Sequence, residues 1–141
     1  MKVVLPLAIF LLVTFRGAFA QGAGDAGFKG FINDSSDGSS FEQAVVLADK
    51  ADYSRCKDKA CLTGAFNEAV SASELMYVSD RFGDRGKDWE VSGYDAVEAY
   101  TFAQDKYYDD LGVDVFSSGK KIVIHFDITG SVHALKEQKY Y

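Results

Sequence analysis

Two histidines, two cysteines and a surplus of carboxylates are the groups from which this chain could build a reactive centre. His125 lies in a run where Ile122, Ile124, Phe126 and Ile128 alternate with Val123, His125 and Asp127. Residues two apart share one face of a strand, so His125 and Asp127 point away from the isoleucines. Upstream, Leu111, Val113 and Val115 alternate with Gly112 and Asp114. Two alternating runs around a glycine-containing turn predict a β-hairpin. With Ser117–Lys120 as a four-residue connection, Val115 faces Ile122, Gly112 faces His125 and Asp110 faces Asp127. That gathers Asp110, Asp114, His125 and Asp127 on one face, a set that could ligate zinc, manganese or calcium. The plainer reading is a solvated polar face, because transition-metal sites usually take more than one His or Cys ligand. Facing Asp110 and Asp127 would repel each other or recruit a cation.

Other chemistries find less support. No G-x-S-x-G elbow marks a nucleophilic serine, and no G-x4-G-K-[ST] loop occurs to cradle phosphates. The segment from Asn33 to Ala44 starts like a calcium loop but ends on alanine where a bidentate glutamate is required. Asn33-Asp34-Ser35 fits the N-glycosylation acceptor pattern. No cofactor is implied. Cys56 and Cys61 are read as a disulfide closing a short loop. Their C-x4-C spacing departs from the C-x2-C of redox motifs.

Compartment follows from the first twenty residues. Lys2 precedes an apolar run from Val3 to Val13, and Ala18-Phe19-Ala20 forms a small-x-small cleavage site before Gln21. The run is shorter than the ~20 residues a membrane span needs. Residues 1–20 are therefore expected to be a signal peptide, which predicts export to the periplasm or the medium. The whole chain carries 15 Lys and Arg against 21 Asp and Glu, a net charge of −6. Removing Lys2 and Arg16 takes it to about −8. Such an acidic chain disfavours nucleic acid and anionic membrane surfaces as partners. No membrane span is expected after signal removal. The remaining chain, about 120 residues, suits one domain with one core.

Residues 21–40 are rich in Gly, Ser, Asp and Asn and read as a flexible linker. Residues 41–48 carry both a helical face and the β-branched run Val45-Val46-Leu47; the strand reading is preferred. The main helix is predicted over Thr63–Phe82, capped by Thr63 and ended by Gly83. Its core stripe comprises Leu62, Phe66, Ala69, Val70, Met76 and Tyr77, with Leu75, Val78 and Phe82 on the opposite side. Residues 89–102 read as extended, with Gly93 as a bulge that switches faces. Gln104-Asp105 forms a turn. Residues 41–130 make the domain, and 131–141 are expected to be a tail with too few apolar residues to dock.

Gly86-Lys87-Asp88-Trp89, Lys106-Tyr107-Tyr108-Asp109, Gly119-Lys120-Lys121 and Phe126-Asp127-Ile128-Thr129 together resemble a group of small exported bacterial proteins of unassigned function. The resemblance covers about the second half of the chain that follows residues 1–20. It implies an exported domain with a helix on a meander, and no activity; the cysteine pair is not part of it.

The predicted fold class is α+β, one main helix packed on an antiparallel three- or four-stranded meander sheet. Tyr94, Tyr100, Phe102, Tyr107 and Tyr108 cluster around one turn and form a candidate partner patch, aromatic residues being enriched in recognition surfaces. Packing of the core and sheet rim is their bland alternative. The function favoured is a small exported, non-enzymatic domain binding a protein or envelope component. Two alternatives stand beside it. One is a small metal-dependent or hydrolytic enzyme using the His125/Asp127 face; the other is a structural exported protein with no dedicated ligand.

Overall fold

The computed structural model describes residues 30–32, 34–92 and 101–141. Along the chain the elements are Val45–Val46 (β1), Lys59–Phe82 (α1), Trp89–Val91 (β2), Thr101–Ala103 (β3), Lys106–Val115 (β4), Lys120–Asp127 (β5) and Thr129–Lys136 (α2). Five strands form one sheet with the order β1-β5-β4-β2, and β3 also pairs with β4.

The β4–β5 hairpin is the backbone of that sheet, and its register runs from Tyr108 opposite Asp127 to Val115 opposite Lys120. The connection is Phe116–Gly119, one residue earlier than Ser117–Lys120, so the pairing expected from sequence is corrected by two positions. Gly119 explains the difference. It sits at φ 63°, and its N–H donates to the Phe116 carbonyl, closing the turn before Lys120. A shift of two leaves each side chain on its expected face but exchanges its partner. Leu111, Val113, Ile124 and Phe126 remain together in the core.

β2 and β3 both lie antiparallel to β4, at opposite ends of it: Trp89 faces Val115, and Thr101 faces Tyr108. Gln104 and Asp105, both at positive φ, form the two-residue loop from β3 into β4. Positive φ at both positions suits the twist of a tight hairpin. Gly93 and the bulge expected there lie outside the described residues. At the other edge β1 runs parallel to β5, Val45 beside Phe126. The sheet is therefore mixed, correcting the purely antiparallel meander. The reason is the intervening helix: a long crossover lets the chain return in the same direction. The strand reading of 41–48 holds only for Val45–Val46, with a bridge from Leu47 to Phe31.

α1 starts at Lys59, with Asp58 and not Thr63 as its cap. The Asp58 carboxylate accepts a hydrogen bond from the Cys61 N–H at 2.8 Å, satisfying one of the free amides of the first turn. Gly83 ends the helix at φ 101°, donating to the Ser79 carbonyl. The buried face comprises Leu62, Phe66, Val70, Ser73, Glu74, Tyr77 and Val78. Met76, expected in the core, is 40% exposed. Val78 belongs to the same face as Tyr77, so no second core is needed to bury it.

Cys56 and Cys61 are joined in a disulfide that staples the entry of α1. The short loop predicts a modest gain. Replacing both cysteines by serine is expected to cost about 2 kcal/mol and lower Tm by ~10 °C, read by circular dichroism. An unchanged midpoint would mean that the staple adds nothing beyond the Asp58 cap.

Both ends of the predicted domain need correction. Phe31, assigned to the linker, is buried and stacks edge-on against Tyr77 at 5.1 Å. Residues expected to form a tail instead make α2, whose Val132 and Leu135 are buried in the main core. The tail was expected because its apolar residues are few; at 132 and 135 they fall one helical turn apart and share a face. Among the described residues no helix is long and apolar enough to cross a membrane.

Candidate functional site

Asp110, Asp114, His125 and Asp127 do share the sheet face opposite α1, but they do not converge. Asp110 lies directly across from His125, with its Oδ1 2.6 Å from His125 Nδ1. Asp127 lies opposite Tyr108 and is buried. Burial disfavours its charge, yet hydrogen bonds from Thr129 and Lys106 outweigh that and hold its carboxyl below the usual carboxylate range. The Lys106 ammonium stands 3.0 Å from it, and that hydrogen bond raises the lysine in turn. Asp114 pairs loosely with Lys121 at 3.8 Å. Among the described residues no group of three or more His, Cys, Asp or Glu side chains is placed to hold a metal ion. The candidate metal face is thereby corrected to one His–Asp contact and two separate lysine pairs, a consequence of the two-residue change in register.

That face is not simply solvated. The Phe41 ring packs 4.7 Å from the His125 ring and 4.6 Å from the Tyr108 ring, measured between centroids. The backbone N–H of His125 donates to the Gly38 carbonyl at 2.9 Å. Residues assigned to the linker and its border thus cover the one histidine of the sheet. An open depression of about 360 Å³ lies at the hairpin tip, between Asp114, Phe116 and Lys121, away from His125.

On the opposite face the structure brings together two acids that sequence reasoning passed over. Glu74 of α1 is only 2% exposed. Burial, and secondarily the neighbouring Asp109 carboxylate, push its pKa up to about 9. It therefore keeps its proton at neutral pH and donates it in a hydrogen bond to Asp109. Asp109 is itself raised by burial, against the opposing effects of that hydrogen bond and of the Asp110 N–H on its Oδ1. Glu74 Oε1 and Ser73 Oγ are buried without hydrogen-bond partners. The signal was present: Glu74 lies four residues from both Val70 and Val78 on the apolar stripe, and Asp109 has the strand parity of Leu111.

The aromatic patch divides. Tyr94 and Tyr100 lie outside the described residues. Tyr108 is buried under Phe41, so it is structural and not part of an open surface. Phe102 and Tyr107 do come together, directly cross-strand, with ring centroids 4.9 Å apart. Phe102 is 58% exposed. From α2, Lys136 places its ammonium 4.6 Å from the Tyr107 ring centroid and 2.6 Å from the hydroxyl, and the His133 ring stands edge-on at 6.4 Å. Sequence reasoning missed His133 and Lys136 because it assigned 131–141 to a tail. No family model, no curated protein and no solved structure matches the chain.

Proposed function

We propose that this chain is a small exported, non-enzymatic domain that binds a protein or envelope component through the surface built by Phe102, Tyr107, His133 and Lys136. One observation carries the reading: a large apolar ring, Phe102, stands mostly in solvent while its inner edge rests on Tyr107. Aromatic rings pre-seated in this way lose little freedom on binding and serve as anchors in interfaces. The signal-peptide pattern and the resemblance to exported bacterial proteins support the export part of the proposal, and the disulfide is compatible with it. Phe41 packed on the His125 ring weighs against the hydrolytic alternative, since it takes up space beside the imidazole.

The test is site-specific photocrosslinking in the native envelope, with the photoreactive residue at position 102 and, as a control, at Val123 on the other face. Adducts at 102 and none at 123 are expected. Phe102→Ala is expected to weaken capture by about 5–30-fold, with a stability change under ~1 kcal/mol. Recovery of the monomer alone, or equal adducts from both positions, would remove the proposal.

A further inference from the structure

The buried face of α1 is mostly apolar, and Glu74 is its one acidic residue among the described residues. Glu74 meets Asp109 of β4, between the helical turns that carry Val70 and Val78. Across the strand Asp109 faces Phe126, and two residues along lies Leu111, both buried in the core. Glu74 Oε1 has no hydrogen-bond partner, so no donor is aimed at that oxygen to stabilise a negative charge on it. Two carboxyl groups in such a place cannot both ionise without separating or admitting water.

We propose that this pair is an acid-tightened clasp: while a proton is held between Glu74 and Asp109, α1 stays closed on β4, and loss of that proton loosens the helix–sheet seam. The surrounding charges act in the same sense. From β4, Asp109 and Asp110 bear on Glu74, both negative. From β5, His125 contacts Asp110 on the far side of the sheet. From α2, Lys136 is turned to Tyr107 and His133 lies edge-on to the same ring. The segment before β1 brings Gly30 against Ser73 and Phe31 against Tyr77. Arg81, on α1 itself, donates to the Asp37 carbonyl and the Tyr77 hydroxyl.

The sign of the effect follows from linkage. Glu74 would ionise near 4.5 in the unfolded chain and holds its proton to about 9 in the folded one. Between those values the folded state binds the extra proton. Stability is therefore full below 4.5 and is lost as pH rises, the folding equilibrium constant falling about tenfold per pH unit for one proton. Asp109, also raised by burial, adds in the same direction. Asp127, held below its ordinary value of 3.8, acts only in stronger acid, and Lys106, raised above 10.5, only in stronger alkali. Neither masks the window. The domain is thus built to be tightest in mildly acidic surroundings.

Thermal melts of the chain from Gln21 between pH 5 and pH 9 test this, alongside Glu74→Gln, which keeps a donor toward Asp109 but has no proton to lose. The wild-type midpoint is expected to fall steadily across the range. Glu74→Gln is expected to match it at pH 5, exceed it at pH 8 and flatten most of the slope. A wild-type midpoint that is constant or rises with pH overturns the proposal, as does a variant with the unchanged slope. Should Glu74→Gln fail to fold, the carboxyl carbon shift of Glu74 in the wild-type protein decides. Titration near 4.5 overturns the clasp; a carboxyl still protonated above pH 7 supports it.

Discussion

Replacing Trp89 by alanine is expected to cost about 3–5 kcal/mol, the range for emptying an indole-sized site in a packed core. Trp89 is fully buried and is the only tryptophan in the chain. Its position explains the size of the effect. It opens β2, faces Val115 across the sheet, and its Nε1–H donates to the Gly83 carbonyl at the end of α1. One side chain therefore joins the last turn of the helix to the strand that follows. Gly83 is exposed, so water can replace the lost donor, and most of the cost is the cavity. Trp89→Phe separates the two contributions: it refills part of the space, lacks the donor, and is expected to cost ~1–2 kcal/mol. Urea unfolding followed by far-ultraviolet circular dichroism measures both without depending on the indole. A loss below 1 kcal/mol for the alanine variant would show that the seam between helix and sheet collapses around the gap.

Ending the chain after Gly130 is the second large effect. It removes Val132 and Leu135, both buried in the main core, and each worth about 1.5–3 kcal/mol of burial. The expected loss, ~3–6 kcal/mol, is comparable to the whole stability of a small domain. The shortened chain is expected to be largely unfolded, with little cooperative melting by circular dichroism. Removing only Lys139, Tyr140 and Tyr141 is the control. These residues are exposed, and their loss is expected to stay under ~1 kcal/mol. If the chain ending at Gly130 melts like the full chain, α2 is an appendage that the core does not need.

The strands were the part of this fold that could be read from residues. Alternation in Leu111–Val115 and Ile122–Ile128 reports which side chains face the core, and it survives any even change of register. It could not report which residue lies opposite which, because that depended on where Gly119 adopts its left-handed conformation. The start of α1 was misplaced because Asp58 is as acceptable a cap as Thr63, and the hydrogen bond from the Cys61 N–H to its carboxylate shows that it is the one used. Glu74 falls on the apolar stripe by its spacing from Val70 and Val78 yet was not counted in it, because a carboxylate carries no hydrophobic signal. The candidate site suffered most. His125 and Asp110 meet by register, Asp127 pairs with Lys106 and Asp114 loosely with Lys121, and the Phe102–Tyr107 pair is completed by residues of α2. Each of these depends on contacts between segments distant in sequence.

The parallel edge of the sheet has a consequence for the order in which this protein can fold. Val45 finds its neighbour at Phe126, and Leu47 donates to the carbonyl of Asp127. Nearly the whole chain must therefore exist before the first strand has anything to pair with. Contacts of such high sequence separation slow folding, because loop-closure entropy is lost before they form. A chain delivered N-terminus first would hold Phe31, Val45 and Leu47 in waiting until β5 and α2 arrive. Until then those apolar residues lack the neighbours that bury them in the folded domain.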